Sequence, residues 1–347
     1  MRPPRWVTGA IPLLVVIRVA ASAEPHVFRR EGDAMGTRIT LSAWTEDEAG
    51  TEKAFDVAFE EIVRIEHLMT DWDRPGNPPS DLVRINRSAG KGPVVVASET
   101  FEVIAAGQKM SALSHGAFDL SYAALRGLWQ FDEDMERRIP PRAKIERARR
   151  MIGYRNVRLD AERKTVELRR KGMRLGLGGI AKGYAVDRAG ALLLERGVQN
   201  FMIQAGGDLL VRGAKGDKPW MVGIRDPRSS ERERFFAVAP IRDHAFSTAG
   251  DYERSFVLDG KRYHHILDPK TGYPANRCRS VTIFAPSAMI ADSLDDAVFI
   301  LGPEKGLPLV EATPGAGAVI VDAQNQVHIS KRLKGVVKVV DAPSPGI

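Results

Sequence analysis

Cysteine is almost absent. The 347 residues hold one, Cys278, which can neither form an internal disulfide nor complete a zinc ribbon, so both classes are excluded. Long apolar runs are missing too. Beyond the first 23 residues no stretch approaches the roughly 20 uncharged residues of a membrane-spanning helix, so no stable transmembrane segment is expected. There is no internal repeat and no P-loop spacing G-x-x-x-x-G-K-[ST]. No regular alternation of strand and helix patterns announces a parallel sheet. The formal charge is +7, from 51 Lys+Arg against 44 Asp+Glu. No basic block interleaved with aromatics accompanies it, so no nucleic-acid partner is expected. What is present suits a globular chain: 44% hydrophobic residues with charges of both signs interspersed, enough to bury a core and too apolar for disorder.

The first 23 residues stand apart. Arg2 and Arg5 precede an apolar run over residues 10–17, and Ala21-Ser22-Ala23 is a small-residue pattern that a signal peptidase accepts. Residues 1–23 therefore read as a signal peptide, and the expected location is periplasmic and soluble. No cysteine lies near the cleavage point, so no lipid anchor is expected. Removing the leader takes away three arginines and no acid, and lowers the formal charge from +7 to +4.

The rest, residues 24–341, reads as one α+β domain with mixed and antiparallel sheets and packed helices. Residues 27–44 look like a hairpin broken at 33–37, and residues 38–44 alternate polar and apolar as a half-buried strand does. Phe55, Ala58, Ile62, Ile65 and Met69 recur at helical spacing. Residues 73–80 form a Pro/Gly loop. A second helix spans 99–114, with Ser98 or Thr100 as its cap. The charge-rich block 132–150 reads as a surface excursion. A hairpin over 157–168 follows, then Leu177-Gly178-Gly179 opens a helix running to Glu195. Strands fit residues 200–204, 208–212, 220–224, 234–238, 245–248, 254–257 and 281–284. A helix at 289–301 and a hairpin at 318–330 close the domain, and 342–347 reads as a disordered tail.

Four clusters carry possible chemistry. In residues 177–187, paired glycines ahead of a helix let a phosphate approach the backbone and the helix N-terminus, with Lys182 in the first turn as a point charge. Tight packing beside a solvated lysine explains the same residues equally well. In Gln204-Ala205-Gly206-Gly207-Asp208, a turn whose Asp bonds its own backbone is the simpler reading. His264 and His265 precede the turn Asp268-Pro269-Lys270-Thr271-Gly272. On a strand they alternate, so one of them can face a site as a general base, and either can instead bond its own turn. In residues 291–298, Asp292 and Asp296 share a helix face with Asp295 beside them. Three close carboxylates repel, and a hard cation such as Mg²⁺ or Ca²⁺ removes that penalty; a solvated acidic face is the alternative.

In order along the chain, AMGTRITL (34–41), HGAFDLS (115–121), GGIAKGYAVDRA (178–189), QAGGDL (204–209), STAGDYERSF (247–256), HILDPKTGYP (265–274) and ADSLDDAVFILG (291–302) resemble the ApbE family, the FAD:protein FMN transferases. The resemblance implies a T-fold-like α+β architecture and a Mg²⁺-dependent, exported enzyme. Such enzymes cleave FAD, release AMP and attach FMN through a phosphoester to a Thr or Ser of an acceptor flavoprotein. By position it implies flavin contacts for Met35 and Trp72, an adenosine-side wall from Phe118 and Asp119, FAD phosphates on Lys182, and a cofactor-binding place for Ile266. It further implies a metal on Gly179, Asp292 and Asp296 with Asp295 beside them, and His265 as base toward the acceptor hydroxyl.

The sequence departs from that pattern twice. The family often carries Asp where this chain has Gly176, which removes a possible contact to FAD. It carries a metal-binding Thr where this chain has Asp296, which adds negative charge and could admit Ca²⁺ or a second ion. Two other readings stay open at this point, a Mg²⁺-dependent FAD pyrophosphatase that uses water and a non-catalytic FAD-binding protein.

Overall fold

The computed structural model describes residues 24–346 apart from 74, 75, 77, 132–136, 232 and 233. The expected signal peptide, residues 1–23, lies outside the described residues, as do parts of the 73–80 loop and the 132–150 block.

Two long strands open the chain, β1 (His26–Ala34) and β2 (Thr37–Thr45), paired from His26↔Thr45 to Ala34↔Thr37. The two residues between them, Met35 and Gly36, have φ of +54° and +72°, as a tight hairpin turn requires. Glycine adopts this at no steric cost, whereas methionine does not. The Met35 N–H donates to a Glu66 carboxylate oxygen at 2.9 Å, which pins the turn. Helix α1 (Glu48–Met69), which carries Glu66, is capped by Asp47 and buries the expected stripe from Phe55 to Met69.

Next come α2 (Asp81–Arg87), β3 (Val94–Val95), α3 (Ser98–Leu113), a 3-10 turn at Leu120–Leu125, α4 (Arg142–Arg149), β4 (Val157–Asp160) and β5 (Thr165–Leu168). Helices α2 and α4 are absent from the sequence reading, because seven or eight residues complete too few turns for a periodicity to stand out. The cap expected for α3 is also corrected. Ala97 holds the cap position without a side-chain bond, and its own N–H donates to Asp81 at 2.8 Å.

Helix α5 (Ala181–Glu195) precedes a run of strands: β6 (Phe201–Ala205), β7 (Asp208–Arg212), β8 (Trp220–Arg225), β9 (Phe235–Ile241), β10 (Ala245–Gly250), β11 (Ser255–Leu258), β12 (Lys261–His264) and β13 (Cys278–Ala285). Helices α6 (Ala288–Leu301) and α7 (Pro303–Ala312) and strands β14 (Gly317–Asp322), β15 (Val327–Ile329) and β16 (Lys338–Val339) complete the order. Eight strands form the main sheet, β1-β2-β6-β7-β10-β13-β14-β15, and every neighbouring pair is antiparallel. The fold is α+β, as expected, with antiparallel pairing in all the described ladders.

Strand alternation divides two cores. Leu210, Ile283 and Ile320 face the core that also holds Ile62, Val186 and Leu294 of the helices. Leu209, Phe284 and Val319 face the opposite side, against Trp220 and Phe236 of the three-stranded sheet β16-β9-β8. Residues 343 and 344 of the C-terminal segment bond to the body of the fold. Ser344 donates its N–H and hydroxyl to Asp226, and the Pro343 carbonyl accepts from Asn325.

Candidate functional site

Helices α5 and α6 cross at a glycine. A Cβ on Gly183 would overlap the Ala288 carbonyl oxygen and lie 2.7 Å from Met289 Cα, so only glycine permits this approach. Asp187, one turn further along α5, accepts from the N–H groups of Ala288 and Met289 at 2.8 and 2.9 Å and fixes the start of α6. In return Asp292 of α6 accepts the Gly183 N–H at 3.0 Å. That N–H lies in the first turn of α5, where no intrahelical acceptor exists and the helix dipole favours an anion.

Around Asp292 the chain gathers three more carboxylates. Lys182 Nζ lies 3.0 Å from Asp208, 3.3 Å from Asp292 and 3.2 Å from the Gly178 carbonyl oxygen. Ser247 Oγ lies 2.6 Å from Asp208 and 2.6 Å from Asp295. Asp296 presses on the turn before α5, since a Cβ on Gly179 would overlap its Oδ2. Asp208, Asp292 and Asp295 are buried and Asp296 is partly buried.

The Lys182 ammonium lies within ion-pair distance of two of the four acids. Burial opposes the Lys182 charge, but Asp208 and Asp292 outweigh it and hold the lysine well above its ordinary pKa. The acids go the other way. Burial raises Asp292, Asp295 and Asp296 above the usual carboxylate range, and neighbouring carboxylates add to it.

Asp208 and Ser247 carry no site role in the sequence reading. Gly206 and Gly207 form the two-residue turn between β6 and β7, and Asp208 opens β7 directly opposite Ser247 of β10. Asp208 therefore bonds a neighbouring strand and Lys182, where a bond to its own turn was the expectation. Their shared GGD and STAGD contexts were the available signal, but the strand pairing that joins them is tertiary.

His264 and His265 divide as alternation predicts. His264 is buried, with Nε2 2.7 Å from the Ala275 carbonyl oxygen and Nδ1 accepting from the Ile266 N–H at 3.3 Å. His265 pairs through its main-chain N–H with the Arg254 carbonyl oxygen at 3.1 Å, and its Nδ1 is buried without a hydrogen-bond partner. Burial, with His264 and Arg254 nearby, lowers its pKa to about 3, so the imidazole is neutral near pH 7.

The sequence model of the ApbE family matches residues 35–320. The chain belongs to the ApbE family. It is similar to the FAD:protein FMN transferase of Treponema pallidum, 35% identical over 278 residues and covering 76% of each chain. It is 30% identical to that of Klebsiella pneumoniae over 285 residues, covering 81% of this chain and 80% of that one. Among solved structures, the ApbE protein of Thermotoga maritima superposes with a TM-score of 0.80 at 34% identity, covering 90% of this chain and 99% of that one. The flavin transferase ApbE from Vibrio cholerae gives 0.79 at 25% identity, with the same coverage. The transferase class expected from the sequence is the class of these relatives.

The residues that the ApbE resemblance singles out fall into two groups. Lys182, Gly179, Asp292, Asp295 and Asp296 come together as described. Met35 is partly buried at its strained turn. Trp72 is 65% exposed, and the Arg126 guanidinium, itself paired with Asp71, lies 4.1 Å from its ring centre. Phe118 is buried, and its ring would lie 3.3 Å from a Cβ on Gly179.

Two of the residues make contacts within the protein itself. The Asp119 carboxylate is buried and taken up by the Ser121 N–H, the Ser121 hydroxyl and the Tyr154 N–H, at 2.6–2.8 Å. It holds the 3-10 turn together. The Ile266 side chain is buried in the helix-side core, while its N–H bonds His264 and its carbonyl accepts from Ala275.

Proposed function

We propose that this ApbE-family chain transfers FMN from FAD to a Thr or Ser hydroxyl of an acceptor flavoprotein and releases AMP. The observation that carries the reading is the group of four carboxylates, three of them buried, gathered around Lys182 and set against the glycine turn and the α5 N-terminus.

The residues fit a divalent metal by their chemistry. Among the described residues no three His, Cys, Asp or Glu side chains are placed to hold a metal by themselves, and the set that the family resemblance implies adds a main-chain carbonyl to two carboxylates. Asp292, Asp296 and the Gly179 carbonyl would hold Mg²⁺, whose preference is for hard oxygen donors. Such an ion would supply charge stabilisation at the phosphoryl oxygens. Asp296, where the family often has Thr, adds a formal negative charge that favours the ion further.

The chain's own residues do the rest. The Gly178-Gly179 turn and the α5 N-terminus receive the diphosphate, and Lys182 offers an ammonium to it. The acceptor hydroxyl oxygen forms a bond to the FMN-side phosphorus as the phosphoanhydride bond breaks and AMP departs. His265, neutral because it is buried, takes the hydroxyl proton.

We also read the protein as exported, on the strength of Arg2, Arg5, the apolar run and Ala21-Ser22-Ala23. No helix among the described residues is long and apolar enough to cross a membrane. The mass of the protein recovered from the periplasm checks cleavage after Ala23.

The deciding experiment incubates the mature protein with FAD, MgCl₂ and an acceptor domain bearing a Thr flavinylation site. An FMN-sized mass gain on the acceptor with equimolar AMP is the expected result. Asp292→Ala should abolish both. AMP with free FMN and an unlabelled acceptor would identify a pyrophosphatase instead, and neither product would leave a flavin-binding protein.

A further inference from the structure

Gly176 stands where the family often carries an acidic side chain, and the structure shows what fills the space beside it. The Gly176 N–H donates to the Leu120 carbonyl oxygen at 2.9 Å, which lashes the glycine segment to the 3-10 turn at Leu120–Leu125. A Cβ on Gly176 would lie 3.0 Å from Ala123 Cβ and 3.5 Å from the ring and hydroxyl of Tyr122. A Cβ on Gly178 would lie 3.3 Å from the same hydroxyl. Tyr122 is thus laid along the glycine turn, with its phenol tip at the residue that begins the Gly178-Gly179 pair.

Resting on the functional reading above, we propose that Tyr122 Oη binds FAD, donating a hydrogen bond to a phosphoryl oxygen at the glycine turn in place of the side chain that Gly176 lacks. Three observations carry this. The Asp119 carboxylate fixes the turn that bears Tyr122 through three hydrogen bonds, so the ring is held by the scaffold. Among the described residues the hydroxyl has no hydrogen-bond partner of its own. Burial, reinforced by the Asp296 charge, raises the phenol to about 12, so it keeps its proton and remains a donor across the neutral range.

The proposal also links the two departures from the family pattern. The chain has no carboxylate at Gly176 and carries one at Asp296, and the Tyr122 ring abuts Gly176. A neutral donor at the turn contributes to phosphate binding without adding a further negative charge beside the four acids.

The test is Tyr122→Phe, which keeps the ring and removes one oxygen. Binding of FAD, ADP and riboflavin is measured by fluorescence quenching and calorimetry, with EDTA and again with MgCl₂, beside a thermal melt. The expected result is a Kd for FAD and ADP raised about 10-fold or more, as for a lost bond to a charged acceptor. Riboflavin affinity and the melting temperature should be unchanged. Unchanged ADP and FAD binding in the variant, while wild type binds both, overturns the Tyr122 assignment alone. An equal loss for riboflavin overturns it too, because the effect would then lie in the shape of the site. A wild-type protein that binds neither FAD nor ADP overturns the functional reading itself.

Discussion

Ser247 and Asp208 face each other across β10 and β7, with Oγ 2.6 Å from the carboxylate, and the same Oγ lies 2.6 Å from Asp295. A serine hydroxyl has one proton. It can donate to one of these acids, so the other must be a carboxylic acid that donates to Oγ. Asp295 is the acid held well above its ordinary pKa, by burial and by Asp296, Asp292 and Asp208.

Replacement of Asp295 by Asn should therefore stabilise the protein at alkaline pH when no divalent cation is present. A carboxyl whose folded pKa exceeds its unfolded value contributes fully below the unfolded pKa near 4. That contribution is lost as pH rises through the folded pKa. Asn keeps a donor for Ser247 and carries no charge. The expected gain is on the order of 1 kcal/mol at pH 8 and close to none at pH 4, read from urea unfolding at the two pH values.

Lys182→Met removes the ammonium shared by Asp208 and Asp292. Breaking a buried ion pair from one side costs about 3–5 kcal/mol, and the partial exposure of Lys182 puts the expected loss near the lower end. Millimolar MgCl₂ should restore part of it. A melt that is unchanged with and without the cation would contradict the account of the cluster.

Gly183→Ala tests the crossing of α5 and α6. Helix propensity alone favours alanine by about 1 kcal/mol. Main-chain atoms of Ala288 and Met289 occupy the space a methyl needs, and such overpacking costs about 1–3 kcal/mol. A net loss of stability is expected, together with weaker Mg²⁺ binding, because the Gly183 N–H that holds Asp292 must move. Calorimetry with MgCl₂ reads the second effect.

His265 imposes an acid limit on the fold. Its pKa falls to about 3 in the folded chain from an ordinary value near 6.5, so its contribution is complete above about pH 6.5 and declines as pH falls toward 3. His265→Gln should flatten stability between pH 6.5 and 4, as followed by thermal melts. Under the proposed role it should also lower the rate of acceptor labelling by about 10²–10⁴-fold.

The Arg228 guanidinium grips Asp251 through two bonds of 2.7 and 2.8 Å, with both side chains less than a tenth exposed. Asp251→Ala should cost about 3–5 kcal/mol by leaving a buried guanidinium unpaired. The double variant Arg228→Met, Asp251→Leu should recover most of that loss in the same urea series.

Much of this was readable in the sequence by itself. The stripe Phe55 to Met69, the hairpin about Met35-Gly36, the antiparallel strands and the triplet Asp292, Asp295 and Asp296 on one helix follow from local spacing, because a helix repeats every 3.6 residues and a strand every two. Local spacing also separated His264 from His265. It could not supply Asp208 and Ser247, which lie 39 residues apart and meet only because β7 pairs with β10. It could not assign Asp119 to its turn or Ile266 to the core, since a side chain's direction there depends on the segment packed against it. Nor could it bring Tyr122 to Gly176 across 54 positions, a contact made by one main-chain hydrogen bond from Gly176 to Leu120. Periodicity reports which face of an element is apolar; which acids share a cation, and what fills the space beside a glycine, are decided by the elements that the fold sets against them.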